Sequence, residues 1–321
     1  MKAWQVHELG EPQDVLRWVD LDEPVPGPGQ LALRVDAVAL NFPDVLLCRG
    51  MYQEKPALPF TPGLEVCGTV LTGPREGERV LAAPGLPHGG LAERVVVPDT
   101  GALPIPDRMP AAKAASMLIT YQTGYVGLHR RAGLQVGETL LVHAGAGGVG
   151  SAAIQLGKAA GARVLATAGG PEKVQVCKDL GADVVIDYNA EDFVAVVKDV
   201  TEGRGADVIY DSVGGDVFDK SRKCIAFEGR IVVVGFAGGR IADAPTNHAL
   251  VKNYAVVGLH WGLYRQYDPT VLPSTHSALV DLWEQGLIDP LVGAELPLTD
   301  APQALTRLGD RGTIGKVVLL P

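Results

Sequence analysis

The sequence is poor in features that mark several classes of protein. Its four cysteines (Cys48, Cys67, Cys177 and Cys224) are widely scattered and form no C-x-x-C pair, which argues against a zinc ribbon and against a dithiol redox site. Sparse, unpaired cysteine is typical of a reducing compartment, so we expect a cytoplasmic protein. The first residues hold no apolar stretch of the signal-peptide kind. The uncharged run 139–157 is interrupted by five glycines, so it indicates a buried strand, loop and helix and not a membrane span.

Positive charge is also scarce. The chain has 28 Lys and Arg against 37 Asp and Glu, a net charge of −9, and therefore lacks the basic surface that attracts nucleic-acid phosphates. Hydrophobic residues make up 47% of the 321 residues, as in an ordinary globular protein, and this length predicts about two domains. We expect its partners to be small molecules and not nucleic acids or membranes.

The pattern of apolar residues changes between residues 110 and 137. Before it, short runs rich in Val and Leu, such as LALRVDAVALN and LEVCGTVLTG, are separated by Gly and Pro and predict an antiparallel, barrel-like domain. From Glu138, strands such as TLLVHA and ARVLATA alternate with helices such as PEKVQVCKDLG, which predicts βαβ units and a parallel sheet. The alternation ends near residues 254–262, and the closing strand GKVVLL is expected to rejoin the N-terminal domain. The predicted domains are 1–118, a dinucleotide-binding insertion 119–258, and the returning part 259–321.

A glycine-rich loop gives the strongest chemical signal. Gly145, Gly147, Gly148, Val149 and Gly150 follow the strand TLLVHA and open a helix, which is the context in which G-x-G-x-x-G binds a dinucleotide. In that motif the first glycine makes the tight turn, the second lets the backbone approach a pyrophosphate, and the third lets the helix pack close to the strand. The helix N-terminus supplies free N–H groups and the positive end of its dipole.

The second strand of this domain carries no acid at its end. An Asp or Glu there, about 20 residues after the glycines, would bind the 2′-hydroxyl of NAD. Instead ARVLATA runs into Gly169 and Gly170, and Glu172 is expected in the first turn of the next helix. Lys173 lies next to the place of a 2′-phosphate. The missing acid and the lysine favour NADPH as the cofactor.

Short motifs extend over essentially the whole chain. They are N-F-P-D at 41–44, R-G-M-Y at 49–52, P-G-L-E-V-C-G at 62–68, G-G-L-A-E at 89–93, T-G-Y at 123–125, H-A-G-A-G-G-V-G at 143–150, D-S-V-G-G at 211–215, V-G-F at 234–236 and G-K-V-V-L at 315–319. Together they resemble the medium-chain dehydrogenase/reductase superfamily, and more closely its zinc-free NADPH:quinone oxidoreductase branch, which includes zeta-crystallin. The resemblance implies an α/β fold with a doubly wound parallel Rossmann domain inserted into a mostly-β GroES-like catalytic domain. It also implies an oxidoreductase and a homodimer.

The resemblance bears on metal as well. Alcohol dehydrogenases of the superfamily hold a catalytic zinc on a Cys, a His and a second Cys, and the matching positions here are Asn41, Leu64 and approximately Ile119. Asn is a poor zinc ligand, and Leu and Ile cannot bind zinc at all. We therefore expect no metal, and an acceptor such as a quinone, whose reduction needs little Lewis-acid help.

The resemblance also implies individual site residues. Tyr52 is expected to contact the substrate as a proton donor, or else to pack at the cleft. The amide of Asn41 is expected to orient a substrate carbonyl, or else to cap the adjacent turn. Besides the glycine loop, the expected cofactor residues are Thr123, Lys173, Tyr188, Ser212, Val213, Gly235, Phe236 and Lys316. Lys316 is alternatively a lysine at the start of a strand.

Three functions remain open at this point. The leading one is hydride transfer from NADPH to quinones or similar conjugated carbonyls. An enoyl-thioester or α,β-unsaturated ketone reductase shares the fold and cofactor, and the position of Tyr52 supports it. An NADPH-binding structural protein with little turnover belongs to another class, and the intact glycine loop fits it equally.

Overall fold

All 321 residues are described by a computed structural model, in which the chain divides into two compact units. Unit 1 consists of Met1–Ile119 and Pro290–Pro321, and unit 2 of Thr120–Asp289. The C-terminal segment therefore belongs to the same unit as the N-terminal one. The second boundary lies at 289–290, whereas the sequence placed it at 258–259.

The chain forms 15 strands and 12 α-helices. The strands are β1 (Lys2–Val6), β2 (Leu16–Asp20), β3 (Gln30–Ala39), β4 (Val66–Val70), β5 (Arg79–Ala82), β6 (Arg94–Pro98), β7 (Leu103–Pro104), β8 (Thr139–Val142), β9 (Arg163–Ala168), β10 (Val184–Asp187), β11 (Ala206–Asp211), β12 (Ile225–Val233), β13 (Ala255–Gly258), β14 (Val292–Pro297) and β15 (Lys316–Leu320). The helices are α1 (Pro12–Val15), α2 (Phe42–Cys48), α3 (Ala111–Ala115), α4 (Leu118–Tyr125), α5 (Gly148–Ala159), α6 (Pro171–Asp179), α7 (Phe193–Val200), α8 (Gly215–Ser221), α9 (Thr246–Lys252), α10 (Tyr264–Tyr267), α11 (Val271–Glu284) and α12 (Ala301–Gly309). None of these helices is both long enough and apolar enough to span a bilayer.

Unit 1 is built on a seven-stranded sheet in the order β14-β15-β3-β4-β5-β7, with β6 paired to β3. Its pairs are antiparallel except for β14 with β15. The closing strand β15 pairs with β3, where Val318 lies opposite Ala39, so the prediction that this strand rejoins the N-terminal domain is confirmed. The apolar core of the unit includes Leu33, Val66 and Leu319.

Unit 2 contains a six-stranded sheet in the order β10-β9-β8-β11-β12-β13, and every neighbouring pair is parallel. Taken in chain order these strands give 3-2-1-4-5-6, the order of a Rossmann sheet. Strands β8 and β11 are buried along their whole length, as expected for apolar strands with helices on both faces. The strand order reverses between them, and ligands of such sheets bind at the carboxyl ends of strands at this switch point.

Side-chain hydrogen bonds keep residues 259–289 in unit 2. Trp261 Nε1 donates to Gln122 Oε1 at 3.3 Å. Gln155 Nε2 donates to Asp289 O at 2.9 Å, and the backbone N–H of Asp289 donates back to the same side chain. A change in apolar periodicity carries no information about such contacts, so the sequence placed the boundary where the βαβ alternation stops.

Candidate functional site

The loop between β8 and α5 leaves no room for side chains at two of its glycines. A Cβ on Gly150 would lie 2.2 Å from Ala144 O, and one on Gly145 would lie 2.8 Å from Cys177 Sγ. A Cβ on Gly147 would meet only Ala144 O, at 3.3 Å. The first and third glycines are therefore required by packing within the unit, while the second leaves backbone bare where a ligand could approach.

The sharp turn of this loop is made by a residue other than glycine. Ala144 has φ 52°, in the left-handed region, whereas Gly145 does not have a positive φ. The turn is held by Gly147 N donating to Ala144 O at 3.0 Å and by Gly145 N donating to Thr167 O at 2.9 Å. The tight turn that the motif assigns to its first glycine is thus made one residue earlier.

Helix α5 begins at Gly148, with Gly147 as its N-cap. The N–H groups of its first turn, from Gly148, Val149 and Gly150, have no acceptor within the helix. They carry the positive end of the dipole of a 12-residue helix. This end of α5 can therefore bind a phosphate without any charged side chain.

His143 links the loop to two neighbouring elements. Its Nε2 lies 2.8 Å from Ser221 Oγ, and its Nδ1 lies 3.1 Å from Thr167 Oγ1. Because the Ser221 hydroxyl donates to Val217 O, Nε2 carries the proton and Nδ1 accepts from Thr167. Burial lowers the pKa of His143 to about 4, while the charge of Asp211 opposes this shift, so the imidazole is neutral at pH 7. His143 is a structural hub of the loop.

The loops after β11 and β12 lie side by side. Asp211 Oδ1 accepts the N–H groups of Val213 at 2.8 Å and Gly214 at 2.9 Å, which shapes the first loop. Ala237 N donates to Ser212 O at 3.1 Å, and Gly238 N donates to Val213 O at 2.8 Å, which joins the second loop to the first. The structure therefore brings Ser212 and Val213 next to the loop of Gly235 and Phe236, whose ring is 43% exposed.

Two further predicted residues follow β9 and β10 in the chain, Lys173 in α6 and Tyr188 directly after β10. Tyr188 follows β10, and its hydroxyl would lie 2.4 Å from a Cβ on Gly169. Asp187 Oδ1 accepts the Gly170 N–H at 3.0 Å, so it fixes the turn that leads into α6. Lys173 lies in the first turn of α6. Strand β9 itself ends at Ala168, without an acid, as the sequence indicates.

Thr123 lies on α4 and is 8% exposed. Its neighbour Gln122 is fully buried and accepts the Trp261 N–H, while its own Nε2 has no hydrogen-bond partner. Thr123 is thus a polar residue on a largely buried helix. No hydrogen bond joins Thr123 to the loops after β8, β11 and β12.

In unit 1, Asn41 and Lys316 are brought together by residues far apart in the chain. Lys316 Nζ donates to Leu40 O at 2.7 Å, to Asn41 Oδ1 at 2.7 Å and to Glu65 Oε1 at 2.6 Å. Asn41 Nδ2 donates to Glu65 Oε1 at 3.0 Å and to Ala39 O at 3.1 Å. Both N–H groups of the amide are thus donated within the unit, and neither is left to orient a substrate carbonyl.

Asp44 completes this buried cluster. Its Oδ2 accepts the Asn41 N–H at 2.8 Å, which caps α2, and its Oδ1 accepts the Gly63 N–H at 2.9 Å. Burial raises the pKa of Asp44 to about 6; the two backbone hydrogen bonds and Lys316 oppose the shift, and Glu65 adds to it. Asp44 and Glu65 thus hold loops through hydrogen bonds to the backbone, and Glu65 also forms an ion pair with Lys316.

Tyr52 follows α2 and is half-buried against the apolar core of unit 1. No three His, Cys, Asp or Glu side chains come together as a metal site would require. The four cysteines are all free and buried.

Comparison with known proteins agrees with this architecture. Residues 27–107 match the family described as alcohol dehydrogenase GroES-like domain, and residues 148–276 match the family described as zinc-binding dehydrogenase. The first match lies within unit 1 and the second within unit 2.

Relatives that match the whole chain carry similar names. A quinone oxidoreductase-like protein 2 homolog of Nematostella vectensis is 39% identical, covering 99% of this chain and 88% of the relative. The quinone oxidoreductase of Thermus thermophilus, solved also in complex with NADPH, is 36% identical, with a TM-score of 0.89 and complete coverage of both chains (100% and 100%). The quinone oxidoreductase of Escherichia coli in complex with NADPH is 29% identical, with a TM-score of 0.93 and the same coverage (100% and 100%).

Proposed function

Because the chain belongs to the quinone oxidoreductase branch of the medium-chain dehydrogenase/reductase superfamily, we propose that this oxidoreductase transfers hydride from NADPH to quinones or similar conjugated carbonyls without a metal. The observation that carries the metal-free part is the Asn41, Glu65 and Lys316 cluster, in which an ammonium donates to Asn41 Oδ1 at a position matched to a zinc ligand. The cofactor part is supported by the loop after β8 and by the NADPH complexes of two similar enzymes.

The residues of unit 2 fit a dinucleotide phosphate. The first turn of α5 would bind the pyrophosphate, with Gly147 leaving space for it. Lys173 and Tyr188, at the ends of β9 and β10, would bind a 2′-phosphate where NAD-binding proteins carry an acid. The paired loops of Ser212 and Phe236 would flank the nicotinamide half of the cofactor.

When bound, NADPH supplies the hydride, and the chain's task is to hold it and to exclude water. A quinone gains the hydride and one proton and becomes a hydroquinone. Its charge is delocalised during transfer, so no Lewis acid is needed. Tyr52 is the proposed substrate contact, since a phenol can donate the proton that completes the reduction.

The residues of unit 1 do not fit zinc, although the family that matches residues 148–276 of unit 2 is described as zinc-binding dehydrogenase. Catalytic zinc takes three protein ligands from Cys, His and carboxylates. The matched positions hold Asn41, Leu64 and Ile119, and Asn41 Oδ1 accepts a hydrogen bond from an ammonium. No step of the proposed reaction passes through a metal.

We also propose that the protein is a homodimer formed along β13. This strand lies at the edge of the parallel sheet and is largely exposed. Leu250 and Val251 on the preceding helix are 80% and 82% exposed, so the edge is apolar as well as unpaired. A second copy would cover both features. The free, buried cysteines support a reducing, cytoplasmic location.

The test is NADPH oxidation with a panel of ortho-quinones, in parallel with a panel of enoyl thioesters, each repeated with NADH. Turnover of quinones with NADPH preferred supports the proposal. Turnover of thioesters alone would replace it with an enoyl reductase in which Tyr52 is the acid. Saturable NADPH binding without any turnover would leave a cofactor-binding structural protein.

Cofactor preference can be tested on α6 with a matched pair of lysines. Lys173→Ala should lower the preference for NADPH over NADH by about tenfold, because one charge-assisted hydrogen bond to the 2′-phosphate is lost. Lys178→Ala, in the last turn of the same helix, should leave the ratio unchanged. If the preference for NADPH over NADH is the same in Lys173→Ala and Lys178→Ala, Lys173 does not contact the cofactor.

A further inference from the structure

The ammonium of Lys316 is buried with a complete set of acceptors. Its side chain is 4% exposed and that of its partner Glu65 is 0% exposed. Each of the three N–H groups has an acceptor within 2.7 Å, namely Leu40 O, Asn41 Oδ1 and Glu65 Oε1. Lysine is almost never buried in this way unless it is paired, because an ammonium loses its hydration. With all its donors used inside unit 1, Lys316 has none left for a cofactor phosphate.

The same cluster joins three segments of the chain. Glu65 Oε2 accepts the Ile119 N–H at 2.7 Å, while Glu65 Oε1 binds both Asn41 and Lys316. Residue 41 matches one zinc-ligand position of the superfamily's alcohol dehydrogenases, residue 119 approximately matches another, and Glu65 directly follows the third, Leu64. One ion pair therefore ties together the segments that a metal would join.

We propose that Lys316 is a positioning residue that holds the Asn41 amide and the Glu65 carboxyl group in place for the reaction. The ammonium donates to both side chains, fixes the orientation of the Asn41 amide and does not contact the cofactor. This role replaces the cofactor contact predicted from the sequence. Its effect on turnover rests on the proposed function, whereas its effects on folding and cofactor affinity do not.

Loss of the ammonium would leave an unbalanced site. Glu65 would then be a buried carboxyl group without its cation, Asp44 would lose the favourable charge of Lys316, and Asn41 Oδ1 would lose its donor. Removing one member of a buried pair is strongly destabilising, whereas replacing both by neutral groups of similar shape is often tolerated. We therefore expect that the stability lost on replacing Lys316 depends on the charge of residue 65.

The first experiment is a double-mutant cycle of Lys316→Met and Glu65→Gln, read by thermal unfolding. Each single change should lower the midpoint by roughly 10 °C. The midpoint of the double variant should lie above that of Lys316→Met, because residue 65 is then neutral and no longer lacks its partner. The control is Lys2→Met, whose partner Asp20 Oδ2 is 2.7 Å away on the surface of the same unit, with a change of at most about 2 °C. Additive losses in the double variant would overturn the proposal.

The second experiment separates positioning from cofactor binding. In Lys316→Ala, kcat should fall by at least about tenfold while the Kd for NADPH stays within about twofold. Ethylammonium should restore part of kcat by filling the vacated space, and tetramethylammonium, which has no N–H donor, should not. A Kd for NADPH that rises by about tenfold with kcat unchanged would show that Lys316 contacts the cofactor and would overturn the proposal.

These measurements remain decisive under other outcomes. If Lys316→Ala does not fold, the Kd for NADPH is measured on the double variant, and a value near that of the wild type supports the proposal. If the wild type reduces no acceptor, the proposed function fails, but the unfolding cycle and the NADPH affinity still test the role of Lys316.

Discussion

The two units bury their polar groups in different ways. In unit 1 the buried cluster is ionic: the ammonium of Lys316 donates to Glu65, and its charge opposes the rise in the pKa of Asp44. In unit 2 the hub of the loop after β8 is neutral, because the imidazole of His143 lies between the hydroxyls of Thr167 and Ser221. The buried polar groups of unit 1 are held by charges. Those of unit 2 are held by neutral hydrogen bonds, next to a glycine loop with free backbone N–H groups.

This difference predicts how each site fails. A backbone site has no side chain to lose, so it is destroyed by an added Cβ that pushes N–H groups out of place. A buried ionic cluster tolerates changes of shape but not an unpaired charge. The two sites should also respond to pH in opposite directions, because burial favours the neutral form of an acid and of a base alike.

The largest effect is expected from Gly150→Ala. The new Cβ would lie 2.2 Å from Ala144 O and 2.8 Å from Gly145 Cα, so the loop or α5 must move. Misplacing the first-turn N–H groups should lower NADPH affinity by about 100-fold, equivalent to roughly 3 kcal/mol. The Kd from titration of the cofactor checks this.

Gly101→Ala is the matched control for that change. A Cβ at this position has no atom within 4 Å, and Gly101 does not have a positive φ. Its NADPH affinity and unfolding midpoint should equal those of the wild type. An unchanged affinity in Gly150→Ala as well would mean that the loop is not the phosphate site.

The second effect concerns the pH dependence of unit 2. The pKa of His143 falls from 6.5 to about 4 on folding, so this residue stabilises the fold above pH 6.5, and that contribution is lost as the pH falls towards 4. The loss amounts to about 3 kcal/mol. The glutamine in His143→Gln can still donate and accept hydrogen bonds. The difference in free energy of unfolding between this variant and the wild type should shrink as the pH falls. Denaturant unfolding at several pH values tests this, and a pH-independent difference would contradict it.

The third effect has the opposite sign and belongs to unit 1. The pKa of Asp44 rises from 3.8 to about 6 on folding, so its favourable contribution is present below pH 3.8 and is lost as the pH rises through 6. Relative to Asp44→Asn, the wild type should therefore lose about 3 kcal/mol between pH 3.8 and pH 7. Hydrogen exchange can assign the response, with β3 amides reporting on unit 1 and β8 amides on unit 2. Parallel pH responses in the two units would invalidate the comparison.

The loop between β8 and α5 could largely be predicted because its determinants are local. The glycines of residues 145–150 and the strand before them are adjacent in the sequence, and the alternation of strands and helices fixes which edge of the sheet they occupy. Details that depend on packing were not predicted. The residue in the left-handed region is Ala144, and Cys177 excludes a side chain at Gly145.

The cluster in unit 1 could not be predicted in the same way. Asn41 and Glu65 belong to recognisable motifs, but their partner Lys316 is separated from them by 275 and 251 residues. The sequence correctly predicted that β15 belongs to the first unit. The pairing of strands, however, does not determine which buried side chains come into contact. Asn41 was therefore expected to face a substrate, whereas its amide is used within the protein.

The smallest expected effect isolates burial as the cause of the difference. Lys158 Nζ lies 2.8 Å from Asp183 Oδ1 in unit 2, a distance close to that of the Lys316 pair, but the two side chains are 37% and 36% exposed. Water already solvates both charges, so Lys158→Met should lower the free energy of unfolding by less than about 1 kcal/mol, and high salt should reduce the difference further. Urea unfolding of Lys158→Met and Lys316→Met, with and without salt, makes the test. If both variants lose the same free energy of unfolding and salt reduces both losses, water reaches the Lys316 ammonium. The ion pair in unit 1 would then be no more sensitive to mutation than the surface pair in unit 2.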